Sequence, residues 1–159
     1  VIEIAAHAGP VKYEVCKDTG AILVDRFLST AMHYPCHYGF VPQTLCGDGD
    51  PADVLVVSPY QLVVGCVIAC RPIGMLTMED EKGEDNKIIA VPASEVTSLY
   101  DNAEDIDDVP ESLCHQIKHF FEHYKDLEPK KWVKVQSFQG RDAAWSELES
   151  AIKAYTAAV

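Results

Sequence analysis

Three carboxylates fall within six residues at Asp48-Gly49-Asp50-Pro51-Ala52-Asp53, and the apolar run Val54-Leu55-Val56-Val57 follows at once. Crowded carboxylates raise one another's pKa, so a cluster that stays ionised near neutral pH needs cations beside it. Hard divalent ions such as Mg2+ take oxygen ligands and are the natural compensation. A turn fixed by Gly49 and Pro51 can aim several carboxylates at one point. The same residues also describe a plain solvated turn between strands. Two sharper readings fail on spacing or order. An EF-hand loop needs Gly at its sixth position and Glu at its twelfth; counted from Asp48, those positions hold Asp53 and Pro59. A D-x-D aspartyl nucleophile follows a buried strand, whereas here Gln43-Thr44-Leu45-Cys46-Gly47 precedes the motif and the β-branched run comes after it.

A second charged stretch, Asp80-Glu81-Lys82-Gly83-Glu84-Asp85-Asn86-Lys87, has the Gly of a hairpin loop. Alone it is a solvated tip; beside the first cluster it could complete a site, because two close metals need bridging carboxylates. Cations are few, 13 Lys and Arg in all. Lys12 and Glu14 share one face of the alternating Val11-Lys12-Tyr13-Glu14-Val15, as a salt-bridged strand or as the wall of a site. Arg26 ends a strand candidate, and a segment dense in aromatics and His follows at residues 32–40. His33 and His37 have helical zinc spacing, but Pro35 between them argues against a helix. Tyr38 either packs or presents its phenol to a ligand.

These groups need a scaffold, and the pattern of the chain describes one. Short extended candidates lie at residues 1–4, 12–17, 22–27, 54–57, 66–72, 74–79 and 87–91, punctuated by Gly and Pro. From Pro110 the period changes: Leu113, Ile117, Phe120, Phe121, Tyr124 and Leu127 follow an amphipathic helix, with Asp107 and Asp108 ahead of it. A second helix is expected from about Asp142, with Trp145, Leu148, Ile152 and Tyr155 on its inner face. Short strands followed by two helices imply a mainly β chain with α, a small barrel carrying two main helices.

The 159 residues suffice for one domain, residues 1–159, with a sizeable core. The first residue is Val, so a short N-terminal segment is expected to be missing. A net charge of −12 argues against a nucleic-acid partner, which needs a basic face. No apolar run approaches the roughly 20 residues of a membrane span. The six cysteines, none in C-x-x-C spacing, are expected as small buried thiols in a reducing cytoplasm.

Taken together, the pieces resemble the family I soluble inorganic pyrophosphatases of bacterial type, over essentially the whole chain. Residues 48–54 resemble the family signature D-[SGDN]-D-[PE]-[LIVMF]-D-[LIVMGAC], departing only at Ala52, which is apolar and not a ligand. Supporting segments are Val1-Ile2-Glu3-Ile4, Lys12-Tyr13-Glu14, Val24-Asp25-Arg26, Tyr34-Pro35-Cys36-His37-Tyr38-Gly39, the stretch 80–87, and residues 119–128 and 131–135. The resemblance implies an OB-like five-stranded β-barrel with helices and Mg2+-dependent hydrolysis of pyrophosphate to two phosphates, with Mn2+ or Zn2+ as substitutes. It implies Asp48, Asp53 and Asp85 as tight metal ligands, with Asp53 bridging to a second ion. Asp80 and Asp85 would hold an ion that enters with substrate, and Glu14 a further one. Glu3 would lie behind the ligands. Lys12, Arg26, Tyr38, Lys87, Tyr124 and Lys125 would meet phosphate oxygens, and Asp50 would be the general base acting on a metal-activated water. A homo-oligomer, the hexamer common in the bacterial type, is implied as well, with His115, His119 and His123 available for subunit contacts. Two other readings compete. A non-catalytic divalent-cation-binding barrel would not need the dispersed Lys and Arg. An OB-like nucleic-acid module conflicts with the charge.

Overall fold

The computed structural model describes Val1–Val159. Nine strands and two helices follow in the order β1 Ile2–Ile4, β2 Val11–Val15, β3 Ile22–Phe27, β4 His37–Phe40, β5 Asp53–Val56, β6 Cys70–Asp80, β7 Gly83–Glu84, β8 Lys87–Pro92, α1 Glu111–His123, β9 Val133–Gly140 and α2 Arg141–Ala158. Seven strands form one sheet in the order β1-β4-β5-β8-β6-β7, with β9 added along β6; β2 and β3 form a separate ribbon. The protein is thus mostly β with two helices, as expected. The strand ladder is an open path, and no pairing closes it into the expected five-stranded barrel.

The central strands β5 and β8 pair in parallel, and both are apolar nearly throughout, as strands covered on both faces must be. Alternate residues part to opposite faces. Leu55 and Ile89 join Leu76, Ile117, Phe120 and Phe121 under α1. Val54, Val56, Ile88 and Ala90 join Ala144, Leu148 and Ala151 under α2. Ala52 belongs to this second cluster, so its small side chain sits where α2 comes close.

Several expected elements shift. Of the candidates at 66–72 and 74–79, the first forms a strand only from Cys70 on, and the two merge into β6, because the register slips between Pro72 and Gly74 and lets a proline sit inside a strand. β4, β7 and β9 were not among the candidates. α1 stops at His123 rather than running to Leu127: the Tyr124 N–H closes the last helical bond onto Phe120 O, and tight turns lead toward Pro129. Leu127 is therefore exposed. The inner face of α2 is Ala144, Leu148 and Ala151, while Trp145 and Ile152 are about half exposed (46% and 47%). Short alanines let the helix lie flat on the sheet, and the bulky residues flank the contact. Of the six thiols only Cys36 is fully buried, and all six are free.

At Gly39 β4 runs so close to β1 that a Cβ there would strike the backbone of Val1 and Ile2. Gly39→Ala is expected to lower stability by about 1–3 kcal/mol through overpacking, read as a fall in the urea midpoint at unchanged m-value.

Candidate active site

The open faces of these strands meet in a cleft of about 250 Å3. All thirteen residues singled out above line it: Glu3 from β1, Lys12 and Glu14 from β2, Arg26 from β3, Tyr38 from β4. Asp48 and Asp50 come from the turn before β5, Asp53 from β5, Asp80 from the end of β6, Asp85 and Lys87 from the entry to β8, and Tyr124 and Lys125 from the end of α1. The motif turn is tight. Gly49 has φ of +90°, which suits glycine, and the Asp50 N–H donates to Asp48 Oδ1 at 3.0 Å. Asp48 and Asp50 are exposed, and Asp53 is half-buried.

Strand register places the charges. Asp53 lies opposite Lys87 across the parallel β5–β8 pair. The Lys87 ammonium, almost wholly buried, donates to Asp53 Oδ2 at 2.5 Å and also to Asp85 Oδ1. Burial works against its charge, but Asp53 and Asp85 outweigh burial and hold it well above the usual lysine range. Asp85 shows the reverse balance: burial, aided by repulsion from Asp53 and Asp80, raises its carboxyl despite Lys87. Lys125 donates to Asp80 Oδ2 at 2.7 Å in a pair with only 8% of each side chain exposed. Burial pushes the Asp80 carboxyl up; the Lys125 hydrogen bond and the Lys82 N–H outweigh it and hold the carboxyl below its usual value.

On the ribbon, Lys12 lies directly opposite Arg26. Two cations facing each other across strands repel, and Glu14 at 2.6 Å and Asp25 at 3.5 Å from Lys12 relieve the strain. Glu3 is buried, and burial raises its carboxyl, while the Val15 N–H donates to it at 2.8 Å and ties β1 to β2. Burial, and then nearby carboxylates, raise the Tyr38 and Tyr124 phenols far above neutrality. Both therefore remain neutral donors.

The cleft also takes in residues that the sequence reading did not name as site residues, among them Lys17, Tyr34, Glu81 and Lys131. Tyr34 is a buried ring 5.2 Å from Tyr38 and 4.5 Å from Phe120, so it builds the aromatic floor. Three of the four lay inside segments already noted for their composition or family likeness; what marks them as site residues is the convergence of distant strands. His33 and His37 form no site: His37 is fully buried, with Nδ1 accepting from Ala6 N–H at 2.9 Å and Nε2 on Tyr60 O at 2.8 Å.

Nine carboxylates line the cleft against seven Lys and Arg side chains, with no sulfur or imidazole donor. No three of them already stand at coordination spacing; Lys87 sits between Asp53 and Asp85, and Lys125 is on Asp80. An all-oxygen donor set in which carboxylates outnumber cations fits hard divalent cations. Dispersed cations and neutral phenols alongside suit the oxygens of a phosphate. Such a cleft, on a mostly β scaffold with two helices, is the site of a phosphate-processing enzyme.

The family model for inorganic pyrophosphatase matches residues 1–156. The inorganic pyrophosphatase of Yersinia pestis is 58% identical over 153 residues, covering 96% of this chain and 87% of that protein. That of Escherichia coli K12 is 57% identical over 148 residues, covering 93% and 84%. The solved inorganic pyrophosphatase of Helicobacter pylori superposes with a TM-score of 0.95 at 50% identity, covering 98% of this chain and 91% of that one. The chain belongs to the inorganic pyrophosphatase family.

Because the folded Asp80 value lies below the unfolded one, the stability it contributes is present above about pH 4 and is lost as pH falls through the folded value. In the presence of a chelator, Asp80→Asn is expected to cost about 1–3 kcal/mol at pH 7. The gap from the parent should narrow in denaturant melts below about pH 4; a constant gap would mean that the pair is not ionic.

Proposed function

We propose that the chain hydrolyses pyrophosphate to two phosphates, with Mg2+ as the resident cation and Mn2+ or Zn2+ as substitutes. The observation that carries this reading is the convergence of all thirteen residues, drawn from seven strands, one turn and the end of α1, on one cleft.

Asp48, Asp53 and Asp85 would hold a tight ion, Asp53 would bridge to a second, Asp80 with Asp85 would receive an ion arriving with substrate, and Glu14 would hold a further one. Divalent cations bound there would lower the pKa of a coordinated water and neutralise phosphate charge. Glu3, buried and bonded to the Val15 N–H, fixes the strand that carries Lys12 and Glu14. Lys12 and Arg26, paired across the ribbon, would grip one phosphate, and Lys87 and Lys125 would stabilise charge as it develops during transfer. Tyr38 and Tyr124, kept neutral by burial, would donate hydrogen bonds to phosphate oxygens. Asp50 lies between Asp48 and Asp53, is exposed, and would take the proton of the attacking water.

The finer expectations belong to the same reading. The Glu3–Val15 bond between β1 and the ribbon supports an OB-like barrel. The free thiols support a reducing cytoplasm. A homo-hexamer is supported by α1, where His115, His119 and His123 lie exposed and the last two rings are 4.7 Å apart. No helix is long and apolar enough to cross a membrane.

Asp50→Asn keeps the size of the side chain and removes its basicity. It is expected to leave circular dichroism and calorimetric Mg2+ binding unchanged while turnover falls about 100-fold or more. Near-normal hydrolysis by this variant would take Asp50 out of the catalytic role.

A further inference from the structure

Two buried polar atoms in the chain lack a hydrogen-bond partner, Arg26 Nε and Glu128 Oε1. They face each other at 3.6 Å, an ion pair too long for a hydrogen bond. The other oxygen, Glu128 Oε2, accepts from Lys131 Nζ at 2.6 Å. Only 10% of the Glu128 side chain is exposed. Burial pushes its carboxyl up, but Lys131 and Arg26 outweigh burial and hold it below the usual value. Arg26 and Lys131 line the cleft, and Glu128 stands behind them.

The backbone explains this placement. After α1 the chain descends in tight turns, with Glu128 N–H donating to Lys125 O at 2.9 Å and Lys131 N–H to Glu128 O at 3.3 Å. The same loop carries Tyr124 and Lys125 into the cleft. Arg26 comes from the other side, on β3. The Arg26–Glu128 contact is the one ion pair joining the β2–β3 ribbon to this loop. Glu128 faces the Nε edge of the guanidinium, and Nη1 donates to Asp25 at 3.2 Å. Nη2 has no partner in the chain and is left for an incoming oxygen.

We propose that Glu128 is a positioning residue for Arg26. It touches no substrate; Lys131 anchors it from one side, and its free oxygen holds the guanidinium aimed into the cleft. A cation pre-aimed in this way loses less conformational freedom when the anion arrives. The assignment rests on the reading of the cleft as a pyrophosphate site.

A double-mutant cycle tests it. Glu128→Gln is expected to raise KM for magnesium pyrophosphate about 5- to 10-fold with kcat within about twofold. Glu128→Asp, which keeps the charge, should restore part of the loss. In an Arg26→Ala background, adding Glu128→Gln should change KM by less than about twofold, because the group it aims is gone. Calorimetric binding of imidodiphosphate, which reads affinity without turnover, should repeat the pattern. The same fold-loss with and without Arg26, or an unchanged KM in Glu128→Gln, would overturn the assignment. A parent with no pyrophosphate hydrolysis would overturn the functional reading and the assignment with it; an active parent with additive effects overturns the assignment alone.

Discussion

A buried ammonium between two carboxylates, Lys87 with Asp53 and Asp85, is the contact on which the cleft is organised. It joins two adjacent parallel strands at the point where the buried sheet meets the polar cavity. Breaking a buried pair of this kind by removing one partner costs about 3–5 kcal/mol, because the remaining charges lose their compensation in a place that water reaches poorly. The lysine also covers aromatic surface, lying 5.7 Å from the Tyr38 ring centre and 6.0 Å from that of Phe121. The floor of the site and the core under α1 are therefore one continuous structure.

From that contact outward the cleft is a problem of charge balance. Lys87 pairs with both Asp53 and Asp85, yet the Asp85 carboxyl remains raised by burial and by its neighbours. Lys125 answers Asp80, and Lys12 answers Glu14. The seven cationic side chains do not cover the nine carboxylates, and at Glu3 and Asp85, whose carboxyls burial raises, ionisation works against stability until further positive charge arrives. On the proposed reading, such a site would take up cations and a polyanion together. Lysines that now pair with carboxylates would be released toward phosphate.

How much of this was legible in the sequence differed by scale. The motif at 48–53 and the loop at 80–87 were legible, because their chemistry lies in consecutive residues. Their joining was open from the residues alone and came only with the family resemblance, since it depends on the parallel pairing of β5 with β8, a long-range event without a local signature. β4 was obscured by its aromatics and central Gly39, yet it carries Tyr38 into the cleft. β9 alternates through Val133 and Val135, but its register slips opposite Thr77 and Met78 before Phe138, so no unbroken alternation marks it. The stripe on α2 was misread because large apolar residues were weighed above alanines, and the alanines make the contact. Glu128 had no signal in its type or spacing; only the meeting of the post-α1 loop with β3 gives it a partner.

The carboxylates of this cleft are proposed to serve cation-dependent hydrolysis of pyrophosphate. The most direct test of that role is phosphate release by the parent protein, stripped with chelator and assayed with and without added Mg2+. Two phosphates should form per pyrophosphate consumed when Mg2+ is restored, with release no greater than background in chelator. Undiminished release in chelator, or no release with Mg2+, would contradict it.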